Sequence, residues 1–434
     1  MKRRTFLRNT LPVLLPSLIN GFSIKALASS PFLQSLTRNM DSDHVLVLIQ
    51  LNGGNDGLNM VIPLEFYSVY QAARPNIAIP EDKILRLEGY DKTGLHPAMP
   101  ELQQLFQCGQ LKIIQGVSYP QPNFSHFRAT DIWLTGADAG QVLSTGWAGR
   151  YLNYQYPHFP ENYPNATMPD PLAIQVGSLV SPALQGPSLT MGMAISNPES
   201  FYNLIDDKIK AVPDTRAGDQ MAYIRAMSAK TDQYAGVIKA AAQKVKKQSD
   251  KYPAAGKNPL ADQLKIVARL VAGGLRTKVY LVSLGGFDTH AKQVEAADTT
   301  TGNHAKLLAK LSEAIGAFQD DCQFLQINNR VTGMTFSEFG RRIKSNASGG
   351  TDHGAAAPVF LFGEGIEPGI LGNNPILPAN ATVNDNIAMQ YDFRAIYATL
   401  LQHWLEVDAN ASASVLLRNY PLLPLIGAKK DIVS

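Results

Sequence analysis

The chain has 434 residues, of which 45% are apolar, with 39 basic and 36 acidic side chains and a formal net charge of +3. This length and apolar content allow one large domain or two. Five basic side chains and no acidic one fall within the first 28 residues, so the remainder has 34 basic against 36 acidic side chains, a net charge of −2. No long run of Lys or Arg occurs there, so we predict no nucleic-acid-binding surface.

The first 28 residues have the order of a secretory signal: a basic start, an apolar stretch and a small-residue cleavage site that ends at Ala28. Arg3 and Arg4 form an adjacent pair followed by Thr-Phe-Leu, which is typical of a twin-arginine signal. The alternative is an uncleaved anchor. Pro12 and Pro16, however, interrupt an apolar stretch that is already shorter than the roughly 20 residues a spanning helix needs.

We therefore predict a twin-arginine signal peptide over residues 1–28, a tether over 29–42 and a single domain with insertions over 43–434. The twin-arginine translocase would be its partner during export, and the mature protein would be periplasmic or secreted. No later apolar stretch is long enough to span a membrane, so no stable membrane span is predicted.

Strands and helices alternate along the predicted domain. Near-continuous apolar runs predict buried strands at residues 44–51, 111–117, 172–176, 278–284, 330–336 and 358–362. Helical spacing or start signals predict helices at residues 97–107, 125–134, 146–155, 218–247, 259–275, 303–320 and 391–406. This alternation, with few hairpin signals, indicates an α/β fold: a doubly wound, mainly parallel sheet with helices on both faces.

The two cysteines, Cys108 and Cys322, fit no metal or redox spacing. A disulfide between them and two free thiols are equally compatible with an exported protein.

Polar side chains follow several of the predicted strands or lie shortly before the last one. They are, in chain order, Asn52, Asp56, Asp288, His290, Glu338, Asp352 and His353. Because the carboxyl ends of parallel strands share one edge of a sheet, we expect these side chains to converge.

Oxygen and imidazole donors of this kind suit Zn, Mn, Mg or Ca. Two ions about 4 Å apart need roughly six such ligands, and the set is just large enough. The sequence therefore predicts one or two divalent metal ions. Each residue alone has a simpler explanation: Asp288 could cap the turn after its strand, and Glu338 could pair with Arg341 or Arg342 on the first turn of a helix.

Ser125 lies at the predicted start of a helix and is a candidate nucleophile, because the positive end of the helix dipole favours an alkoxide or an anionic substrate. It could equally serve only as the helix cap. The next residue, His126, is a candidate general acid or metal ligand, and Arg128 is a candidate contact for an anionic substrate. The simpler role of His126 is packing, and the simpler role of Arg128 is a surface ion pair.

Eight stretches of the chain resemble the bacterial family known as domain of unknown function 1501, a distant branch of the alkaline-phosphatase and sulfatase-like superfamily. They occur in family order and span nearly the whole predicted domain. The stretches are LNGGNDGLNMVIP (51–63), GLHPAMPELQQLFQCGQLKIIQGVSYP (94–120), SHFRATDIWLTG (125–136), GWAGRYL (146–152), GGFDTH (285–290), TFSEFGRR (335–342), GTDHG (350–354) and DFRAIYATLLQHWL (392–405).

The resemblance implies an alkaline-phosphatase-like fold with metal ions at the carboxyl edge of the sheet. It also implies a Ser, Thr or modified Cys that attacks phosphorus or sulfur. Carried over position by position, it implies Ser125 as the nucleophile and a metal-ligand set of Asn52, Asp56, Asp288, His290, Glu338, Asp352 and His353.

Three departures from the superfamily pattern bear on this expectation. Asn52 is neutral where an acid is typical, and Glu338 with Phe339 replaces an Asp-His pair. The absence of the C-x-P-S-R motif argues against a formylglycine sulfatase. Because of these departures, a site with one metal ion or with none is an alternative to a two-metal site. The glycine turn after the first strand lacks G-x-G-x-x-G spacing, which argues against an oxidoreductase with an organic cofactor.

The sequence thus predicts an exported metal-dependent hydrolase of phosphate or sulfate esters that acts on a small anionic ester. The alternative is a non-catalytic exported binding or assembly protein on the same fold, whose partner would be another exported protein.

Overall fold

The computed structural model describes residues 42–196 and 233–427. Its strands are β1 (Val45–Asn52), β2 (Val61–Pro63), β3 (Leu85–Arg86), β4 (Thr93–Leu95), β5 (Leu111–Ser118), β6 (Ala173–Val176), β7 (Met193–Ile195), β8 (Val279–Gly285), β9 (Val331–Phe336), β10 (Arg341–Ser345), β11 (Thr351–His353), β12 (Ala357–Gly363), β13 (Gly369–Leu371) and β14 (Tyr391–Asp392).

The helices of the described residues are α1 (Gly57–Met60), α2 (Tyr67–Ala73), α3 (Pro100–Gln107), α4 (His126–Thr135), α5 (Trp147–Gln155), α6 (233–244), α7 (Pro259–Ala272), α8 (Asn303–Phe324), α9 (Phe393–Thr399) and α10 (Ala409–Leu416). A π-helical turn, Leu400–Trp404, continues α9.

The central sheet has nine strands in the order β13-β5-β12-β9-β1-β8-β6-β7, with β14 beside β5. In the middle of the sheet, β1 pairs in parallel with both neighbours, so that Leu48 lies opposite Leu281 of β8 and Met334 of β9. Of the nine strands described, β12 alone runs antiparallel to its neighbours. The predicted mainly parallel α/β sheet is confirmed.

Both faces of the sheet are covered. Val47 and Ile49 of β1 face one hydrophobic core, which α3, α6, α7 and α8 complete. Leu46 and Leu48 face a second core, which α4, α5, α9 and α10 complete. A strand that is buried on both faces needs apolar residues at every position, which explains the unbroken apolar run of β1.

The structure differs from the sequence interpretation around the last polar cluster. The simpler explanation of Glu338 placed Arg341 and Arg342 on the first turn of a helix, and the glycines around Asp352 indicated a loop. Instead β10 and β11 pair in antiparallel fashion as a separate two-stranded sheet, with Arg341 opposite His353. The paired residues are six to twelve positions apart in the chain, a separation that helical or strand periodicity does not register.

Some predictions fall outside the described residues. These are the signal peptide at 1–28, nearly all of the tether at 29–42 and the first half of the long helix expected at 218–247. No helix among residues 42–196 and 233–427 is long and apolar enough to cross a membrane. Cys108 is exposed and Cys322 is buried, and both are free thiols, so the disulfide alternative is wrong.

Trp133 anchors α4 to the sheet. It is 3% exposed and stacks on Phe393 and Phe336, with ring centroids 4.3 and 5.6 Å apart. We expect Trp133→Ala to lower the free energy of unfolding by about 3–5 kcal/mol, because it leaves a cavity beneath the helix. Phe127 on the same helix is 91% exposed, so Phe127→Ala should change the free energy of unfolding by less than about 0.5 kcal/mol. Guanidinium denaturation measures the stability of the two variants, and equal losses in both would contradict this packing.

Candidate functional site

The loops at the carboxyl edge of the sheet meet around one buried guanidinium, that of Arg341 at the start of β10. It donates hydrogen bonds to the backbone carbonyls of Gly53, Gly54, Phe287 and Thr351. Its Nη2 also donates to Oδ1 of Asp288 at 2.7 Å. One side chain therefore joins the turn after β1, the segment after β8 and β11.

The turn after β1 approaches Asp288 closely because it contains glycine. Gly53 has φ +123°, and a Cβ atom there would lie 2.3 Å from the backbone nitrogen of Asp288. Any other residue would therefore both strain the turn and push the two loops apart.

Three histidines surround the carboxylate of Asp288. Its Oδ1 lies 3.1 Å from Nε2 of His290 and 3.3 Å from Nε2 of His353, and its Oδ2 lies 3.5 Å from Nε2 of His126. The Nε2 atoms of His290 and His353 are 2.9 Å apart. We refer to His126, Asp288, His290 and His353 as the His-Asp cluster.

Each histidine of the cluster is held by its other ring nitrogen. Nδ1 of His126 lies 2.8 Å from Oε1 of Glu338, that of His290 lies 3.1 Å from Oδ1 of Asp352, and that of His353 lies 2.8 Å from the carbonyl oxygen of Phe124. A carbonyl or carboxylate oxygen accepts hydrogen bonds, so each Nδ1 carries a hydrogen, and each ring in its neutral form presents an Nε2 lone pair. Three lone pairs and a carboxylate then face one another, which favours a cation between them.

Glu338 and Asp352, which the sequence predicted as metal ligands, contact the outer ring nitrogens of two histidines. Glu338 is 3% exposed, and its carboxylate accepts from His126, from the backbone N–H of Gly53 at 2.9 Å and from the hydroxyl of Ser337 at 3.1 Å. Asp352 accepts from His290 and from Asn346. Both oxygens of Glu338 and Oδ1 of Asp352 are thus engaged in fixing ring positions and turns.

The charges of the cluster suit cation binding at neutral pH. Burial lowers the pKa of His353 below its ordinary value, which keeps the imidazole neutral and its Nε2 lone pair free. Burial by itself raises the pKa of Asp288, but the Arg341 guanidinium and the neighbouring imidazoles together outweigh it and hold that pKa below its ordinary value of 3.8. Asp288 is therefore a carboxylate.

These residues fit a divalent metal ion. Donor atoms of His126, Asp288 and His353 all lie within 4.8 Å of one another. Imidazole nitrogens with a carboxylate oxygen suit Zn or Mn better than Mg or Ca. Hydrogen bonds from the outer ring nitrogens to carboxylates or carbonyls are the usual surroundings of metal-bound histidine.

Two predicted ligands do not join the cluster. Asp56 is fully buried, and its Oδ2 accepts from Arg74 and Gln293, each at 2.6 Å. Burial by itself raises the pKa of Asp56, but the Arg74 guanidinium outweighs it and lowers that pKa. Asn52 ends β1, where its backbone carbonyl accepts from Phe287, and among the described residues no hydrogen bond links its side chain to the cluster.

Ser125 is exposed at the N-cap of α4, and its side chain makes no capping hydrogen bond. Both its neighbours contact the cluster, Phe124 through its carbonyl and His126 through its ring. Arg128 was predicted as a contact for an anionic substrate. Its guanidinium donates to Asp131 and to the carbonyls at 138, 139 and 141, which holds the loop after α4.

Sequence reasoning missed two contributions. Arg341 was considered only as an ion-pair partner of Glu338, and the carbonyl of Phe124 was not considered at all. The family stretch TFSEFGRR contains Arg341, so a signal for its importance existed. Nothing in the pattern indicates that this arginine, and not Arg342, is the buried one.

His304, at the start of α8, supports the turn after β1 through a contact of 3.0 Å between its Nε2 and Oδ1 of Asn55. Burial lowers the pKa of His304 to about 4. Stability from this neutral ring is therefore fully present above the unfolded pKa, about 6.5, and is lost as the pH falls toward 4.

In the unaltered protein, His304 should make the free energy of unfolding on the order of 3 kcal/mol lower at pH 4 than at pH 7. We expect His304→Gln to abolish this part of the pH dependence. The matched control is His403→Gln, because His403 is exposed. Urea denaturation of the three proteins at both pH values measures the effect. An unchanged pH dependence in His304→Gln would rule out this role.

Several solved structures are similar to this chain at low identity. A protein of the alkaline phosphatase superfamily from Vibrio parahaemolyticus is 11% identical, and the match covers 89% of this chain and 72% of that one, with a TM-score of 0.40. The PsFucS1 sulfatase from Pseudoalteromonas sp. is 11% identical; that match covers 91% of this chain and 71% of the sulfatase, with a TM-score of 0.35. The C-terminal periplasmic domain of EcEptC from Escherichia coli, solved in complex with Zn, is 10% identical; that match covers 75% of each chain, with a TM-score of 0.34.

No curated protein sequence matches the chain. The family described as "protein of unknown function (DUF1501)" matches residues 43–414. That range contains all nine strands of the central sheet and the whole His-Asp cluster. The chain therefore belongs to the DUF1501 family.

Proposed function

We propose that the protein is an exported, metal-dependent hydrolase of phosphate or sulfate esters. The observation that carries this proposal is the His-Asp cluster, whose three oriented Nε2 atoms face one carboxylate. Its member His126 adjoins the exposed Ser125 in the chain, and its member His353 contacts the other chain neighbour of Ser125. The resemblance of the sequence motifs to the alkaline-phosphatase and sulfatase-like superfamily supports the same reaction class. The twin-arginine leader supports export to the periplasm or beyond.

His126, His290, His353 and Asp288 would hold the metal ion. A divalent ion bound there supplies positive charge to the oxygens of a phosphate or sulfate ester. Glu338 and Asp352 keep two of the imidazoles in the tautomer and orientation that ligation requires. The carbonyl of Phe124 does the same for His353, and it joins that ring to the segment that carries Ser125.

Ser125 would act as the nucleophile from the start of α4, where the helix dipole favours developing negative charge. Its Oγ forms a bond to phosphorus or sulfur while the bond to the ester oxygen breaks. The hydroxyl proton passes to solvent, to which Ser125 is exposed, and the departing alkoxide takes a proton from water. A water molecule then cleaves the seryl ester, which restores the hydroxyl and releases phosphate or sulfate, or a phosphate monoester when the substrate is a diester.

We expect Ser125→Ala to lower kcat on aryl phosphates, phosphodiesters or aryl sulfates by about 10³-fold or more, because the attacking oxygen is lost. Asp288→Asn should have a comparable effect, because it removes the charge at the centre of the cluster. Ser414→Ala is the matched control, since Ser414 is exposed on α10. Initial rates over a panel of the three ester classes measure the effect.

Activity that survives both changes would sink this mechanism. A wild-type protein that binds metal but turns over none of these esters would favour the alternative, a non-catalytic exported binding or assembly protein with a protein partner. The neutral Asn52 and the use of Glu338 as a hydrogen-bond acceptor are the features compatible with that alternative.

The export part of the proposal has its own test. Replacing Arg3 and Arg4 by lysine keeps the charge of the leader but removes the guanidinium pair. We expect the protein to remain in the cytoplasm of a bacterial host, as measured by cell fractionation, while the unaltered leader directs it across the membrane. Equal export of both proteins would contradict the twin-arginine assignment.

A further inference from the structure

We infer that the site takes one divalent metal ion and not two, because the buried guanidinium of Arg341 supplies the second positive charge. The inference rests on the proposed metal-dependent function and specifies how many ions that site uses. Three features of the described residues support it: the charge balance, the donors that remain, and the position of Arg341.

The charges around the cluster balance with one divalent ion. Asp288, Glu338 and Asp352 contribute three negative charges, and Arg341 contributes one positive charge. Imidazoles bind metal in their neutral form and add none. The excess is two negative charges, which one divalent ion neutralises. A second ion would leave two uncompensated positive charges beside a guanidinium, in a partly buried site where such repulsion is poorly screened.

The donors that remain are too few for a second ion. Two ions held close together need roughly six ligands. Of the candidate carboxylates, Asp56 is bound by Arg74 and Gln293, Glu338 by His126, Gly53 and Ser337, and Oδ1 of Asp352 by His290 and Asn346. The set that remains consists of the three Nε2 atoms, Asp288 and Oδ2 of Asp352, which suffices for one ion but falls short of six ligands.

Arg341 prevents Asp288 from bridging two ions. A bridging carboxylate directs one oxygen to each metal, but Oδ1 of Asp288 already accepts from Nη2 of Arg341 at 2.7 Å. The guanidinium cannot move aside at low cost. The side chain of Arg341 is fully buried, and its remaining N–H groups donate to backbone carbonyls of the turn after β1, the segment after β8 and β11. Arg341 is therefore a fixed cation of the site.

The test is the metal stoichiometry of the full-length mature protein. We would remove metal by chelation and titrate the protein with Co²⁺, followed by its absorption, and with Zn²⁺, followed by calorimetry. Both titrations should saturate at one ion per chain, and elemental analysis of protein purified from metal-supplemented cells should give the same ratio.

Two isosteric variants and a control show that the ion is held by the cluster. Asp288→Asn should abolish the Co²⁺ absorption bands at one equivalent. Glu338→Gln should keep the ratio of one but weaken binding by about 10–100-fold, because it loosens His126 without removing a ligand. Glu88→Gln should bind as the wild type does, because Glu88 is exposed and outside the cluster. Circular dichroism confirms that each variant is folded.

Saturation at two ions per chain would overturn the inference while leaving an ester hydrolase intact. If Asp288→Asn binds Co²⁺ or Zn²⁺ as tightly as the wild type, the inference is overturned as well. It is also overturned if the wild type binds neither Co²⁺ nor Zn²⁺. One bound ion without hydrolysis of any ester would support the inference and contradict the proposed function. The two proposals can therefore fail separately.

Discussion

The site depends on the buried guanidinium of Arg341. A buried charge is costly unless it is fully hydrogen-bonded. Here the bonds come from the turn after β1, the segment after β8 and β11, which are far apart in sequence. These loops can satisfy the guanidinium only when they meet, so the charge that must be compensated also fixes where the loops lie. Asp288 completes this arrangement and is thereby held at the centre of the histidines.

A second constraint sets the orientation of the three imidazoles. Each ring is held from outside by an oxygen that belongs to a different part of the fold: Glu338 after β9, Asp352 in β11 and the carbonyl of Phe124 before α4. These acceptors decide which ring nitrogen carries the hydrogen and which lone pair faces Asp288. The strands and the helix thus determine the chemistry of the cluster as much as its own residues do. Trp133 contributes indirectly, because it packs the helix that carries His126 against the sheet.

Much of the fold could be predicted from the sequence, because strands such as β1 that are buried on both faces require continuous apolar runs. The meeting of Asp288 and His290 with the turn after β1 could be expected from the shared carboxyl edge of parallel strands, whereas His353 reaches them from the separate two-stranded sheet. The roles of individual acids could not be predicted. Glu338 follows its strand closely, yet a contact with His126, 212 residues away in sequence, makes it an acceptor. Such contacts are set by the packed fold, which local patterns of polar and apolar residues do not encode.

The two Asp–Arg pairs near the sheet edge show what separates a structural acid from a functional one. Asp56 and Arg74 are both fully buried, and Gln293 adds a second donor to the same oxygen, so that pair supports the turn after β1. Asp288 also pairs with a fully buried arginine, but 48% of its own side chain is exposed and its Oδ2 faces His126. The arginine in the second pair lowers the pKa of the acid without closing access to it. An acid that is kept ionised and still open on one side can bind a cation. Ser125 is exposed as well, and in the chain it stands between two residues that contact the same cluster.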